Sequence, residues 1–154
     1  MNFIIHTVNR FRPYQWAIQE KESKRLVYKF ELNGISIEAY LGNKFKVGEA
    51  WLTVGNYYTK SIIPYCNIYS VQVTAYYRRL GIASDIIEHS FKIAQKKGFS
   101  EMLLTVNPLN KSAICLYRKM GFVSADMSDN AKYYRKEILL GSNKEMIGMV
   151  KIFS

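Results

Sequence analysis

The stretch Ile68-Tyr69-Ser70-Val71-Gln72-Val73, the loop Arg78-Arg79-Leu80-Gly81-Ile82-Ala83 and the helical run after it narrow the fold more than any other part of this chain. Apolar and polar residues alternate over residues 68–73, which predicts a strand. From Ile82 the positions Ile82, Ala83, Ile86, Ile87, Ser90, Phe91 and Ala94 repeat at helical spacing, and Lys96-Lys97-Gly98 supplies a basic last turn and a glycine stop. Glu101-Met102-Leu103-Leu104-Thr105-Val106 then reads as a buried strand, ended by Asn107-Pro108, and Asn110 caps a helix that runs to about Met120 before Gly121. A strand-helix-strand connection this short brings its strands together in parallel, with a right-handed crossover.

The rest of the chain supplies further strands. Residues 3–8 read as a first strand, and residues 13–24, with Pro13 near the start and helix formers from Trp16 to Glu22, read as a short first helix. Asn33-Gly34, between residues 25–32 and 35–41, predicts a tight hairpin. Gly42-Asn43 adds a turn, residues 45–54 a strand, and residues 57–67, with Pro64, a loop. After Phe122 come strands at residues 122–126, 133–140 and 145–153, with Gly141-Ser142-Asn143 as the last turn. The chain shows no repeat or linker, and its 154 residues are expected to form one domain.

Composition excludes several classes. At 49% hydrophobic and 22% charged residues the chain is globular rather than disordered. No apolar run approaches the roughly 20 residues of a membrane span, and the N-terminus lacks the features of a signal peptide, so a cytoplasmic protein with no membrane partner is expected. Cys66 and Cys115 lack metal-ligand spacing and sit among apolar residues, which predicts two reduced, buried thiols. The formal charge of +10 favours anionic ligands, but the basic residues are scattered, which argues for a solvated basic surface over a nucleic-acid groove.

The chemistry gathers at the glycine loop. The first amides of the helix after Gly81 point outward without partners, backed by the positive end of the helix dipole, so the place suits an anion. Arg78 and Arg79 put two positive charges at a helix start, where acidic residues are the rule, and Asp85 offsets them only in part. No Gly-Lys-Ser/Thr and no Gly-x-Gly-x-x-Gly occurs, which removes the P-loop and dinucleotide readings. No metal-binding cluster is visible, and neither His6 nor His89 has a Ser or Cys partner; His89 lies off the apolar stripe and is expected to face solvent.

Arg78-x-x-Gly81-x-Ala83 joined to Asn110-x-x-Ala113-x-x-x-Tyr117-x-x-x-Gly121-Phe122 resembles the GNAT superfamily of N-acetyltransferases, closely over residues 68–122 and more loosely in the last strand at residues 145–151. The resemblance implies an α/β (α+β) fold: a single mixed, mostly antiparallel sheet, flanked by helices, whose central parallel pair splays to admit acetyl-CoA. It implies that backbone groups of Val71 and Val73 pair with the pantetheine arm. It places the pyrophosphate on Arg78, Arg79, Gly81, Ile82 and Ala83, with Ser84 adding a hydroxyl and Asn110 a further contact. The Val73 amide would face the developing oxyanion, and the Tyr117 phenol would protonate the leaving thiolate. No metal is implied.

The chain departs from the pattern on the base side. Protein N-terminal acetyltransferases of this superfamily often carry a glutamate where this chain has Thr105, which weighs against peptide N-termini as substrates. Glu38 and Glu49, on neighbouring predicted strands, are the candidate bases. The expected acceptor is a primary amine of a small molecule or a protein. Its pocket is expected between the first helix, the loop at residues 57–67 and Tyr133-Tyr134. Two other readings stand beside it: a non-catalytic acyl-CoA-binding module, and a toxin-like acetyltransferase acting on aminoacyl-tRNA. Monomer and homodimer both remain open.

Overall fold

The structure is a computed structural model that describes residues 2–6, 15–27, 30–42, 44–55, 65–132 and 146–153. Among the described residues, eight strands form one sheet: β1 (Asn2–His6), β2 (Trp16–Val27), β3 (Phe30–Leu41), β4 (Phe45–Gly55), β5 (Tyr65–Val73), β6 (Glu101–Val106), β7 (Val123–Ser124) and β8 (Ile147–Ile152). Their spatial order is β1-β2-β3-β4-β5-β6-β8-β7. Neighbours are antiparallel throughout, except that β5 and β6 run parallel. Helix α1 (Ile82–Lys96) makes the crossover between that pair, and α2 (Lys111–Lys119) follows β6. The mixed sheet with a central parallel pair and flanking helices is therefore as the sequence predicts.

One face of the sheet is built for α1. Ile82, Ile86, Ile87, Phe91 and Ala94 of the helix pack in one core with Ile37, Val47, Ala50, Leu52, Ile68, Met102 and Leu104 of the sheet. Each of the large side chains contributes about 1.5–3 kcal/mol by leaving water. A Cβ on Gly48 would lie 3.1 Å from both Ile82 Cγ2 and Ile86 Cδ1, so the first turn of α1 presses on β4 at a residue with no side chain.

Two expectations for the first third fail. Residues 16–24 are strand, not helix: Trp16 and Ile18 are buried on the α1 face, and β2 pairs with β3 from Ala17↔Tyr40 to Val27↔Phe30. That long ladder outweighs the helix propensity of the Gln19-to-Glu22 stretch. Asn33-Gly34 is no turn either. It lies inside β3, opposite Lys24 and Ser23, and the chain reverses between Val27 and Phe30 instead. Gly34 is needed for clearance: a Cβ there would lie 2.6 Å from the Leu52 carbonyl oxygen and 2.6 Å from the Trp51 indole.

β5 begins at Tyr65, so the end of the expected loop at residues 57–67 is already strand, and β7 is only Val123–Ser124 before a short 3-10 turn at Ala125–Met127. The expected strand at residues 133–140 and the turn at residues 141–143 lie outside the described residues. His89 does not face solvent; it is buried, with Nε2 against Glu20 Oε1. Because β2 is a strand, Glu20 falls on the α1 face with Trp16 and Ile18, and the sheet reaches under His89. Cys66 is buried as expected, but Cys115 is exposed on α2.

Candidate active site

The parallel pair holds together at one point. Asn67 and Leu103 are the only residues in register between β5 and β6, and beyond them the strands part. A bulge in β5 helps to bend it away: between the pairs Trp51↔Tyr69 and Glu49↔Gln72, β5 has one residue more than β4, and Ser70 takes a left-handed φ of 53°. The fork opens into a cavity of about 1060 Å³. Val71, Val73, Arg78, Arg79, Gly81, Ile82, Ala83, Ser84, Asn110 and Tyr117 all line it. Residues nominated from three separate stretches of sequence thus meet around one space.

The loop into α1 is shaped by its backbone. Arg79 and Gly81 both adopt left-handed φ, 63° and 96°, which folds the chain sharply before the helix. The first intrahelical bond is Asp85 N–H to the Gly81 carbonyl at 3.0 Å, and Gly81 offers no capping side chain. The amides of Ile82, Ala83 and Ser84 therefore have no acceptor within the helix, which makes them an anion seat. Asp85 is not among the residues that line the cavity, and its Oδ2 accepts from Trp16 Nε1 at 2.8 Å. Arg78 Nε donates to the Val73 carbonyl at 3.1 Å, which ties the loop to the end of β5.

At the other wall, Asn110 caps α2: its Oδ1 accepts from Ala113 N–H at 3.2 Å. The residue also lines the cavity, and the cap uses only its Oδ1, so cap and contact are compatible. About two turns on, Tyr117 is 8% exposed, with its ring edge-on to Phe122 at 5.8 Å. Burial raises its pKa above the usual value near 10.

The two candidate bases differ. Glu38 and Glu49 are direct cross-strand partners, but only Glu49 lines the cavity. Glu38 is buried and clamped by Lys21 at 3.1 Å and Lys46 at 3.2 Å. Burial pushes its pKa up, and the bonds and charges of the two lysines more than offset this, leaving it below the ordinary carboxylate value. It is a poor proton acceptor. Glu49 meets Lys46 at 3.1 Å and Arg25 at 3.7 Å, and its hydrogen bond is the largest of the influences that raise the Lys46 pKa.

Sequence reasoning missed Lys46, Tyr77, Ser112 and Lys119, which also line the cavity. Ser112 and Lys119 were within reach, because they share a helix face with the Leu116 and Tyr117 turn. Lys46 was not, since a bulge decides its direction. The acceptor pocket expected from a first helix loses that helix to β2; residues 57–64 and Tyr133-Tyr134 lie outside the described residues. Thr105 is half-buried on β6 beside Asn67, away from the large cavity. Among the described residues, no three His, Cys, Asp or Glu gather to hold a metal, and no helix is long and apolar enough to cross a membrane.

Residues 7–122 match the sequence profile of the Acetyltransferase (GNAT) family. The chain is 39% identical over 61 residues to N-alpha-acetyltransferase 50 of Danio rerio, a match covering 39% of this chain and 35% of that protein. It is likewise 39% identical over 61 residues to the probable N-acetyltransferase san of Drosophila melanogaster, over 39% of this chain and 32% of that protein. The match thus spans about a third of each curated relative. Arabidopsis thaliana Naa50, solved with the bisubstrate analogue CoA-Ac-MVNAL, shares the fold with a TM-score of 0.55 at 23% identity, over 77% of this chain and 72% of that one. An acetyltransferase from Bacillus cereus does so with a TM-score of 0.56 at 22% identity, over 78% of each chain.

Proposed function

Because the chain belongs to the GNAT family of acetyltransferases, we propose that residues 1–154 form one acetyl-CoA-dependent N-acetyltransferase domain that acetylates a primary amine of a small molecule or a protein. The observation that carries this reading is the single cavity at the fork, which gathers the anion seat of the α1 start, the free edge of β5 and the Tyr117 phenol. The residues present fit the cosubstrate. Three unpaired amides and Arg78 and Arg79 suit a pyrophosphate, and Lys46 and Lys119 extend the positive lining.

Acetyl-CoA supplies an activated acyl group when bound. Backbone groups of Val71 and Val73 align its arm as an added strand would, although the Val73 carbonyl is shared with Arg78. Glu49 takes the proton of the incoming ammonium, and the Val73 amide faces the oxygen that gains charge. Tyr117 hydrogen-bonds the leaving sulfur. Its raised pKa keeps it protonated, and full transfer to sulfur is helped because the same apolar surroundings raise a thiol's pKa too. Direct attack in a ternary complex needs no residue to carry the acyl group.

A panel of amines, including peptides with free N-termini, tests the reading by release of CoA thiol. Turnover with at least one amine is expected, and Tyr117→Phe should lower kcat about 10²- to 10⁴-fold while CoA affinity changes little. Tight CoA binding with no turnover on any amine would refute it. That result would favour a non-catalytic acyl-CoA-binding module, a reading supported by the pairing of Glu49, the only carboxylate lining the cavity among the described residues, with Lys46.

A further inference from the structure

Lys46 has an unusual position that follows from one irregularity in β4. Ala39 pairs with Gly48 but Tyr40 pairs with Lys46, so Val47 is an extra residue between them. By simple alternation Lys46 would share the face of Gly48, whose missing Cβ would meet Ile82 and Ile86 of α1. The bulge turns it to the opposite face, where its Nζ lies 3.2 Å from Glu38 Oε2 and 3.1 Å from Glu49 Oε2. The same bulge sets it beside the end of β5, because the Val47 carbonyl accepts from Thr74 N–H at 2.9 Å.

Four cationic side chains line the cavity, and two of them, Lys46 and Lys119, are primary amines. Among the described residues, Lys46 is the one held by a carboxylate of the cavity wall, and its side chain is 44% exposed. An amine, a proton acceptor and a phenol thus share one space with the anion seat, the set that acyl transfer to nitrogen requires.

We propose that Lys46 is itself acetylated, in cis, and that its modification frees Glu49 to serve external amines. The inference rests on the transferase reading above. Glu49 accepts one proton from the Lys46 ammonium, and the freed nitrogen forms a bond to the acetyl carbon as the carbon–sulfur bond breaks. A second proton leaves the nitrogen; Tyr117 delivers one proton to the thiolate, and the other passes to solvent. The products are an amide on Lys46 and CoA thiol. The amide bears no charge, so Glu49 loses its ion pair with Lys46 and, among the described residues, keeps the one with Arg25 at 3.7 Å.

The full chain is incubated with isotopically labelled acetyl-CoA and mapped by peptide mass spectrometry, while CoA thiol and the turnover of an amine panel are followed in parallel. One label per chain on Lys46 is expected, at a rate unchanged by diluting the protein, absent in Lys46→Arg and slowed about 10²-fold in Glu49→Gln. Lys46→Gln, which mimics the neutral product, should turn over external amines faster than Lys46→Arg; circular dichroism and CoA titration check that both variants fold and bind. The proposal is overturned, with the transferase reading intact, if an external amine is acetylated while Lys46 stays free. Labelling of Lys46 no faster than the exposed Lys92 and Lys96, or labelling of Lys119 in its place, overturns it equally. Absence of any label together with absence of thiol release on every amine would overturn both.

Discussion

Tyr117 and the two cysteines show how burial alone sorts chemically similar groups. The buried phenol keeps its proton through the neutral range because the charged form is penalised by lost solvation. The same cost pushes the Cys66 thiol up to about 12, whereas Cys115, on the open side of α2, is exposed. A native-state thiol titration with a disulfide reagent near pH 8 is therefore expected to modify Cys115 promptly and Cys66 only on unfolding. Prompt reaction of two thiols in the folded protein would contradict the packing. Its raised folded pKa lends Cys66 a contribution to stability that is whole below the unfolded value of about 8.5 and fades as pH climbs toward 12. Sequence marked both cysteines as buried because their neighbours are apolar, but helix rotation, which composition does not reveal, turns Cys115 outward.

Among the elements, the fork and its two helices were legible and the outer strands were not. Local signals define α1: a period of 3.6, a glycine before it and a basic stop after it. Nothing local distinguishes Trp16-Ala17-Ile18-Gln19 as strand from the same residues as helix, since only the ladder to β3 decides between them. Asn33-Gly34 misleads for a related reason. A glycine serves a turn through its freedom of φ, but it serves a close approach through its missing side chain, and sequence shows only that a glycine is there. Gly34→Ala is accordingly expected to destabilise the fold by about 1–3 kcal/mol in urea unfolding, by overpacking against Trp51 and Leu52. A neutral result would mean that both the Leu52 carbonyl and the Trp51 indole give way, despite the bond from the indole Nε1 to Ser23 Oγ at 2.8 Å and the Arg25 guanidinium over its ring.

For the whole molecule, the excess of positive charge acquires a place. Among the described residues, Lys46, Arg78, Arg79 and Lys119 line the cavity against one carboxylate, Glu49, so part of the +10 is gathered at the proposed cosubstrate site. CoA affinity measured by calorimetry should fall as salt rises, since the screening length shrinks to about 10 Å at 0.1 M. An affinity indifferent to salt would show that the cations do not face the phosphates. A salt-sensitive association with tRNA in the same assay would instead support the aminoacyl-tRNA reading.

Sequence by itself determined the parallel pair, the helix start after Gly81 and the Asn110 cap, because each depends on periodicity, glycine placement or capping within a few residues, whereas the splay of the pair and a place for Tyr117 came with the resemblance to the GNAT superfamily. Only the tertiary structure decided that Trp16–Val27 is strand, that His89 is buried against Glu20, and that a bulge at Val47 turns Lys46 toward Glu49. Those outcomes depend on how strands pair and in which register, and for His89 on a contact 69 residues away in the chain. Shifting a strand by one residue exchanges its faces, and no local pattern records which neighbour imposes the shift.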